Sequence, residues 1–160
     1  MPQITPFLWF DNNAEEAMNF YVSIFKNSKV LNVTRYGDGG PGPKDTVMSC
    51  TFELNGQTIM ALNGGPHFHF TEAISFFVSC KDQQEVDELW AKLTAEGGSD
   101  EQCGWLKDKY GLSWQIIPTA LMELMSDPDP EKSRRVLEAM LQMKKIDVQK
   151  LREAHDGVAV

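Results

Sequence analysis

The sequence is short of positive charge and has no long apolar run. Lysine and arginine together number 15 against 23 aspartates and glutamates, which gives a formal net charge of −8. This balance argues against nucleic acids and anionic membranes as partners, because proteins bind both by neutralising phosphates. A membrane span needs roughly 18 consecutive apolar residues and a secretion signal needs a basic segment before an apolar one. Neither is present, so we expect a cytoplasmic protein.

Cysteine is also scarce. Cys50, Cys80 and Cys103 are far apart, and no C-x-x-C pair or histidine at zinc-finger spacing accompanies them. We therefore expect reduced thiols and no structural zinc. Cys103 would act as a nucleophile only with a base in reach, and the sequence places none beside it.

A phosphate-binding loop is missing as well. The glycine-rich stretch 37–43 contains no G-x-G-x-x-G and is not followed by a helical pattern, so it predicts a hairpin loop. The same absence leaves no strand, glycine loop and helix in succession for a nucleotide or S-adenosylmethionine. We predict no cofactor and no methyl transfer.

What the sequence does contain is ordinary globular composition, with 42% hydrophobic and 24% charged residues, arranged in a repeated pattern. The first half predicts the order βαβββ. Asn13 is a candidate helix cap, with Glu16 completing a capping box, and Asn55-Gly56 is a hairpin signal. The predicted strands are Ile4–Phe10, Val30–Tyr36, Thr46–Leu54 and Gln57–Leu62. In the third of these, alternation predicts one face made of Met48, Cys50, Phe52 and Leu54.

The second half begins the same pattern again. Ala73–Cys80 is a predicted strand, Asp82 caps a helix with Glu85 three positions later, and the apolar residues repeat the offsets found after Asn13. We therefore predict a duplication, with a first module at 1–65 and a second, shortened βαβββ module at 66–118.

A hairpin over residues 102–118 closes the second module. Gly111 supplies the positive φ of the turn, and the strand ends at Pro118. Alternation puts Ser113, Gln115 and Ile117 on one face and Leu112, Trp114 and Ile116 on the other. A glutamine among apolar residues needs a hydrogen-bond partner, either a ligand or a neighbouring backbone group.

The segment 119–160 predicts a C-terminal helical extension. A helix over Thr119–Met125 ends at Asp127-Pro128-Asp129-Pro130, a second carries an apolar stripe, and Asp147 caps a last short one. The stripe, which predicts a core or subunit contact, consists of Val136, Leu137, Met140 and Leu141.

Four stretches carry a family resemblance: residues 4–21 (ITPFLWFDNNAEEAMNFY), 73–90 (AISFFVSCKDQQEVDELW), 103–118 (CGWLKDKYGLSWQIIP) and 144–154 (KKIDVQKLREA). They resemble the glyoxalase/bleomycin-resistance/dioxygenase (vicinal oxygen chelate) superfamily, and most closely its PhnB-like branch, the "3-demethylubiquinone-9 3-methyltransferase" domain family. The resemblance implies an α+β fold of two tandem βαβββ modules forming a curved mixed sheet, here with the helical extension. It also implies a half-open cup in each module and a homodimer.

The resemblance further implies where a ligand would bind. In metal-dependent members the metal ligands fall at positions near Thr5, near Ala61 or Asn63, at Ser75 and at Gln115, and only Gln115 is a residue type that the family uses. We therefore expect no essential metal. Gln115 and Ser75 are expected to bind a small organic molecule, within an aromatic lining of Phe7, Trp9, Phe77 and Trp105.

His67 and His69 fall in the predicted linker between the modules. On a strand both would face one way and could bind a metal or act as a base, but solvated linker residues are the simpler interpretation.

Three functions are compatible with these patterns. The first is metal-independent binding or sequestration of a small molecule, or an isomerase or lyase reaction without a metal. The second is a metal-dependent lyase or dioxygenase of the same superfamily. The third is an interaction module that uses the helical extension.

Overall fold

The computed structural model describes residues 1–158. The chain divides into two compact units, Met1–Phe70 and a second that begins at Thr71. Each contains its own four-stranded mixed sheet, so the predicted α+β class and the paired modules are confirmed. Within the described residues, no helix is both long and apolar enough to cross a membrane.

The first unit has the predicted order βαβββ. Its strands align as β1-β4-β3-β2, with β1 parallel to β4 and the remaining neighbours antiparallel. The elements are β1 (Phe7–Phe10), α1 (Ala14–Ile24), β2 (Lys29–Arg35), β3 (Val47–Leu54) and β4 (Gln57–Asn63).

Alternation along the strands separates a core face from an open face in the first unit. The buried face packs on α1, and it contains Leu8, Phe10, Cys50, Phe52, Ile59 and Ala61. Phe7 and Trp9 lie on the opposite face, where Phe7 is exposed and Trp9 is half-buried.

The predicted face of β3 is wrong at one position. Cys50, Phe52 and Leu54 are buried as expected, but Met48 is 38% exposed while Val47 is 9% exposed. The cause is an irregularity in the pairing with β2 between Thr34 and Arg35, which brings Arg35 opposite Val47. A bulge of this kind adds one residue to one strand and so exchanges the faces beyond it.

The start of α1 also differs from the prediction. Asn13 occupies the cap position but makes no hydrogen bond to the helix with its side chain. Asn63, at the end of β4, supplies the acceptor: its Oδ1 receives the Ala14 N–H at 2.9 Å, and its Nδ2 donates to Val47 O at 3.2 Å. One amide thus joins α1 to β3 and β4, which accounts for its polar side chain.

The second unit repeats the order βαβββ, and two of its strands are short, with two residues in β6 and three in β7. Its sheet is ordered β5-β8-β7-β6, with β5 parallel to β8 and the others antiparallel. Asp82 caps α2 as predicted, accepting from Glu85 N at 2.9 Å. The elements are β5 (Ser75–Cys80), α2 (Gln83–Thr94), β6 (Ser99–Asp100), β7 (Trp105–Lys107) and β8 (Ser113–Pro118).

The C-terminal extension forms three helices, α3 (Thr119–Met125), α4 (Pro130–Leu141) and α5 (Val148–Asp156). Asp129 and Asp147 cap α4 and α5 with their side chains. The predicted apolar stripe is buried only in part, since Leu137 and Leu141 are exposed. The buried cluster of the extension consists of Ile117, Leu121, Val136, Ile146 and Leu151.

Candidate functional site

The candidate site lies on one face of the second sheet. Helix α2 packs against β5, β7 and β8 on the other face, where Leu106, Trp114 and Ile116 are buried. Because side chains alternate along a strand, the residues between these three point away from α2. We call this surface the site face, and it consists of Ser75, Phe77, Trp105, Lys107, Ser113 and Gln115.

The six side chains of the site face form two rows across the strands, and Gln115 lies at the centre of one of them. Strand pairing places it opposite Phe77 on β5 and opposite Trp105 on β7. Its Nε2 donates a hydrogen bond of 2.9 Å to Ser75 Oγ. The structure thus brings Gln115, Ser75, Phe77 and Trp105 together, with Phe77 53% exposed and Gln115 on the strand between those that carry the two aromatic residues.

The neighbouring row contains Ser75, Ser113 and Lys107, paired across the same strands. Ser113 is 0% exposed, and its hydroxyl has no hydrogen-bond partner within residues 1–158. Buried hydroxyls in proteins nearly always have a partner, from the protein or from a bound molecule.

Lys107 connects the site face to two carboxylates. Its ammonium contacts Glu72 and lies 3.5 Å from Glu101. The hydrogen bond from Lys107 lowers the pKa of Glu72, and the hydrogen bond to Glu72 raises the pKa of Lys107, so both groups are held in their charged forms. Glu72, Glu101, Gln102 and Trp105 line a shallow depression of about 530 Å³.

Phe7 and Trp9 belong to the first unit. The Trp9 indole donates to Gly65 O at 2.9 Å, and Phe68 lies edge-on to it with ring centroids 4.8 Å apart. Gly64 lies so close to the indole that an added Cβ would come within 2.2 Å of it. Trp9 therefore has a structural role under the linker, and ligand binding by Phe7 and Trp9 stays a prediction.

The positions that would carry a metal do not form a suitable donor set. Ser75 and Gln115 are neutral and already bonded to each other, and both polar atoms of the Asn63 side chain bond to backbone. Thr5 precedes β1 and lies outside any strand. Among residues 1–158, no group of three or more histidines, cysteines or carboxylates is placed to hold an ion. The residues present do not fit a resident divalent metal.

The histidines and two of the thiols contribute nothing to the site face. His67 and His69 are exposed in the irregular segment between β4 and β5, as predicted for linker residues. Burial raises the pKa of Cys50 to about 11 and that of Cys80 to about 12, which keeps both thiols protonated near neutrality and unreactive.

Sequence reasoning missed the charged part of the site. Neither Glu72 nor Lys107 is among the ligand-binding residues that the sequence predicted. The signal was present in the strand pairing: Lys107 is two residues from Trp105 and lies opposite Ser113, so both belong to the face that carries Gln115.

The two modules of the chain define the class of protein to which it belongs. Two βαβββ units with mixed four-stranded sheets are the fold of the glyoxalase/bleomycin-resistance (vicinal oxygen chelate) superfamily. The family model described as 3-demethylubiquinone-9 3-methyltransferase matches residues 2–117. The chain belongs to this PhnB-like family.

Several solved structures are similar to this chain in fold. A PhnB protein from Bacillus cereus is 40% identical, with a TM-score of 0.67 over 73% of this chain and 99% of its own. A Pseudomonas aeruginosa protein is 23% identical, with a TM-score of 0.62 over 74% of this chain and 98% of its own. The fosfomycin resistance protein FosX from Listeria monocytogenes, in complex with Mn(II) and sulfate, shares the fold at 15% identity, with a TM-score of 0.51 over 73% of this chain and 89% of its own. No curated protein matches the chain by sequence.

Proposed function

We propose that this protein binds a small organic molecule on the site face of its second sheet, without an essential metal. The observation that carries the proposal is the position of Gln115 in the row formed with Phe77 and Trp105. The amide nitrogen is used by Ser75, and no group within residues 1–158 donates to Gln115 Oε1. A half-buried glutamine with aromatic residues opposite it on both neighbouring strands offers both a hydrogen bond and a stacking surface to a planar molecule.

Methyl transfer, which the family description names, is not part of this proposal. The glycine-rich loop joins β2 to β3, so it connects two strands instead of a strand and a helix. A helix N-terminus behind such a loop is what binds the polar part of a nucleotide-like cofactor in Rossmann-type enzymes. The site face supports recognition of a small molecule and supplies no residue with an assigned chemical step.

The resemblance of this chain to its family also supports a homodimer as the form that binds. Sedimentation equilibrium of the purified protein checks this part of the proposal separately. A monomer at all concentrations would contradict the dimer and leave the proposed site unaffected.

A thermal-shift screen of a metabolite library, run with and without a metal chelator, tests the binding function. We expect ligands that stabilise the protein equally under both conditions. Gln115→Met keeps the volume of the side chain and removes its amide, and we expect it to weaken each ligand about tenfold, the effect of losing one hydrogen bond of about 1.4 kcal/mol.

Gln84→Met is the matched control, because Gln84 is exposed on α2 and its side-chain amide donates a hydrogen bond to Glu88 of the same helix. It should bind like the unmodified protein. Binding that disappears with the chelator, or that Gln115→Met leaves unchanged, would contradict the proposal.

A further inference from the structure

We infer that the ligand of the site face is a planar molecule that carries a positively charged amine or a comparable N–H donor. This inference rests on the proposed function and adds the chemical class of the ligand. It follows from three independent features of the site face: its charge, the direction of its hydrogen-bonding groups and its aromatic rings.

The charge beside the site face is negative. Glu72 and Glu101 present two carboxylates to the single ammonium of Lys107. The three groups together carry a net charge of −1, which disfavours a phosphate or carboxylate on a ligand. Trp105 lines the same depression as both glutamates. A cation placed there interacts with the excess carboxylate charge and with the face of an indole.

The free oxygen of the Gln115 amide also favours a donor. Ser75 Oγ already accepts from Gln115 Nε2, which leaves Gln115 Oε1 as the acceptor for an incoming molecule. Ser113, in the adjacent row, has a fully buried hydroxyl without a partner among residues 1–158. Leaving such groups unpaired costs free energy. The Ser113 hydroxyl can pair with a donor or an acceptor, whereas Gln115 Oε1 pairs only with a donor, so the glutamine favours a molecule that supplies an N–H group.

The aromatic rings define the rest of the ligand. Phe77 and Trp105 lie on opposite sides of Gln115 in one row of the sheet, and Phe77 is 53% exposed. An exposed ring of this size beside a polar group is suited to stacking on another planar ring. A planar ring with an amine within a few bonds would therefore satisfy the row of Gln115 and the carboxylates near Lys107 together.

Three indole compounds of similar size test the inference: tryptamine, which is cationic, tryptophol, which is neutral, and indole-3-acetate, which is anionic. Their dissociation constants are measured by calorimetry at pH 7 and low ionic strength. We expect tryptamine to bind at least tenfold more tightly than indole-3-acetate, with tryptophol between them. Added salt should reduce this difference, because it screens charges near the surface.

Glu101→Gln removes one carboxylate and should bring the ratio of the tryptamine and indole-3-acetate constants close to one. Glu53→Gln is the matched control. Glu53 lies 3.7 Å from Lys29 with 26% of its side chain exposed, while Glu101 lies 3.5 Å from Lys107 with 29% exposed, and Glu53 belongs to the first unit. It should leave the ratio unchanged.

The outcomes separate the inference from the proposed function. Binding of all three compounds with equal affinity, or a preference for indole-3-acetate, overturns the inference. If Gln115→Met still weakens that binding, the proposed function stands. Binding of none of the three at millimolar concentration also overturns the inference, and the library screen then decides the proposed function by itself.

Discussion

Asp108 fixes the turn between β7 and β8 from the inside. Its side chain is 2% exposed, and its carboxylate accepts hydrogen bonds from Tyr110 N at 2.8 Å, from Leu112 N at 3.1 Å and from the Trp114 indole at 2.9 Å. The turn closes at Gly111, which has a φ of +86°. Because β7 carries Trp105 and β8 carries Gln115, this carboxylate sets the register of the site face.

Replacing Asp108 should therefore destabilise the protein strongly. Asp108→Ala removes the acceptor of three donors, of which the Leu112 N–H and the Trp114 indole are buried, and we expect a loss of roughly 2–5 kcal/mol in the free energy of unfolding. Asp108→Asn keeps an oxygen for the two backbone groups but turns an NH₂ group toward the Trp114 indole, so its cost should be smaller. Urea denaturation followed by tryptophan fluorescence measures both.

A double-mutant cycle tests the indole contact by itself. Trp114→Phe removes the N–H that Asp108→Asn would oppose, so the pair should be less destabilising than the sum of the two single changes, by about 1 kcal/mol. Strict additivity would show that the indole bond contributes nothing to the turn.

At the scale of elements, Gln83 attaches the extension to α2. Its Nε2 donates to Ile146 O at 2.9 Å, and its Oε1 accepts from Val148 N at 2.7 Å, so one amide holds the turn between α4 and α5. Lys145 adds an ion pair with Asp87 of α2 at 2.8 Å. These contacts hold the backbone that leads into α5.

Gln83→Ala should loosen this turn without unfolding the sheet. We expect a loss of about 1–3 kcal/mol, since two backbone groups lose their partner. Trypsin should then cleave faster after Lys144, Lys145 and Lys150, which mass spectrometry of early fragments can show. Gln84→Ala serves as the control, because its amide bonds only to Glu88. Equal cleavage rates in the two variants would exclude this role for Gln83.

The same elements show which local structure could be predicted. The caps at Asp82, Asp129 and Asp147 were predictable because each side chain bonds to a backbone group two or three residues away. The cap of α1 was not, because its acceptor, Asn63, lies on another strand and is close to the helix only after folding. The exposure of Met48 was missed for the same reason, since a bulge depends on the partner strand.

The residues of the candidate site were also predictable only in part. Alternation along β8 correctly placed Gln115 and Trp114 on opposite faces of the sheet. The resemblance to the family indicated Ser75 as a position on the same side as Gln115. The grouping of Lys107 with Glu72 and Glu101 depends on which strands pair and in which register. A single sequence contains no direct record of that pairing, so the charge of the site became visible only in the structure.

At the scale of the whole molecule, the extension is the part that the family model leaves out. That model ends at residue 117, yet Ile117 packs with Val136, Ile146 and Leu151, each of which is 0% exposed. Met143 O and Lys144 O also accept hydrogen bonds from Cys103 N and Gly104 N, both at 2.8 Å. The extension therefore supports the segment directly before Trp105, which makes it part of the second unit and of the environment of the site.

The contacts of His155 with two aspartates in the extension should make the stability of the protein depend on pH. His155, near the end of α5, lies 2.8 Å from Asp127 and 3.0 Å from Asp156 through its two ring nitrogens. The hydrogen bonds with Asp156 and Asp127 raise the pKa of His155. Hydrogen bonds from Asp129 N and from His155 lower the pKa of Asp127, near which Lys132 adds a further positive charge.

The directions of the two pKa shifts define the pH range in which this pair stabilises the folded chain. A raised histidine pKa stabilises the folded chain fully below the unfolded value of about 6.5, and this contribution is lost as the pH rises through the folded pKa. A lowered aspartate pKa contributes above about 3.9 and is lost as the pH falls through the folded pKa. The pair should therefore stabilise most between about pH 4 and 6.5.

We expect the free energy of unfolding to fall more between pH 6 and pH 8 in the unmodified protein than in the variant His155→Gln. The glutamine side chain can still donate a hydrogen bond to Asp127, but it does not titrate. Comparing the two proteins cancels the contribution of Cys50 and Cys80, whose raised pKa values also lower stability as the pH rises into the alkaline range. Urea titrations at half-unit intervals, read by tryptophan fluorescence, give the two pH profiles. Parallel profiles would mean that the charge on His155 does not stabilise the extension, and that α5 is held by Leu151 and its apolar neighbours instead.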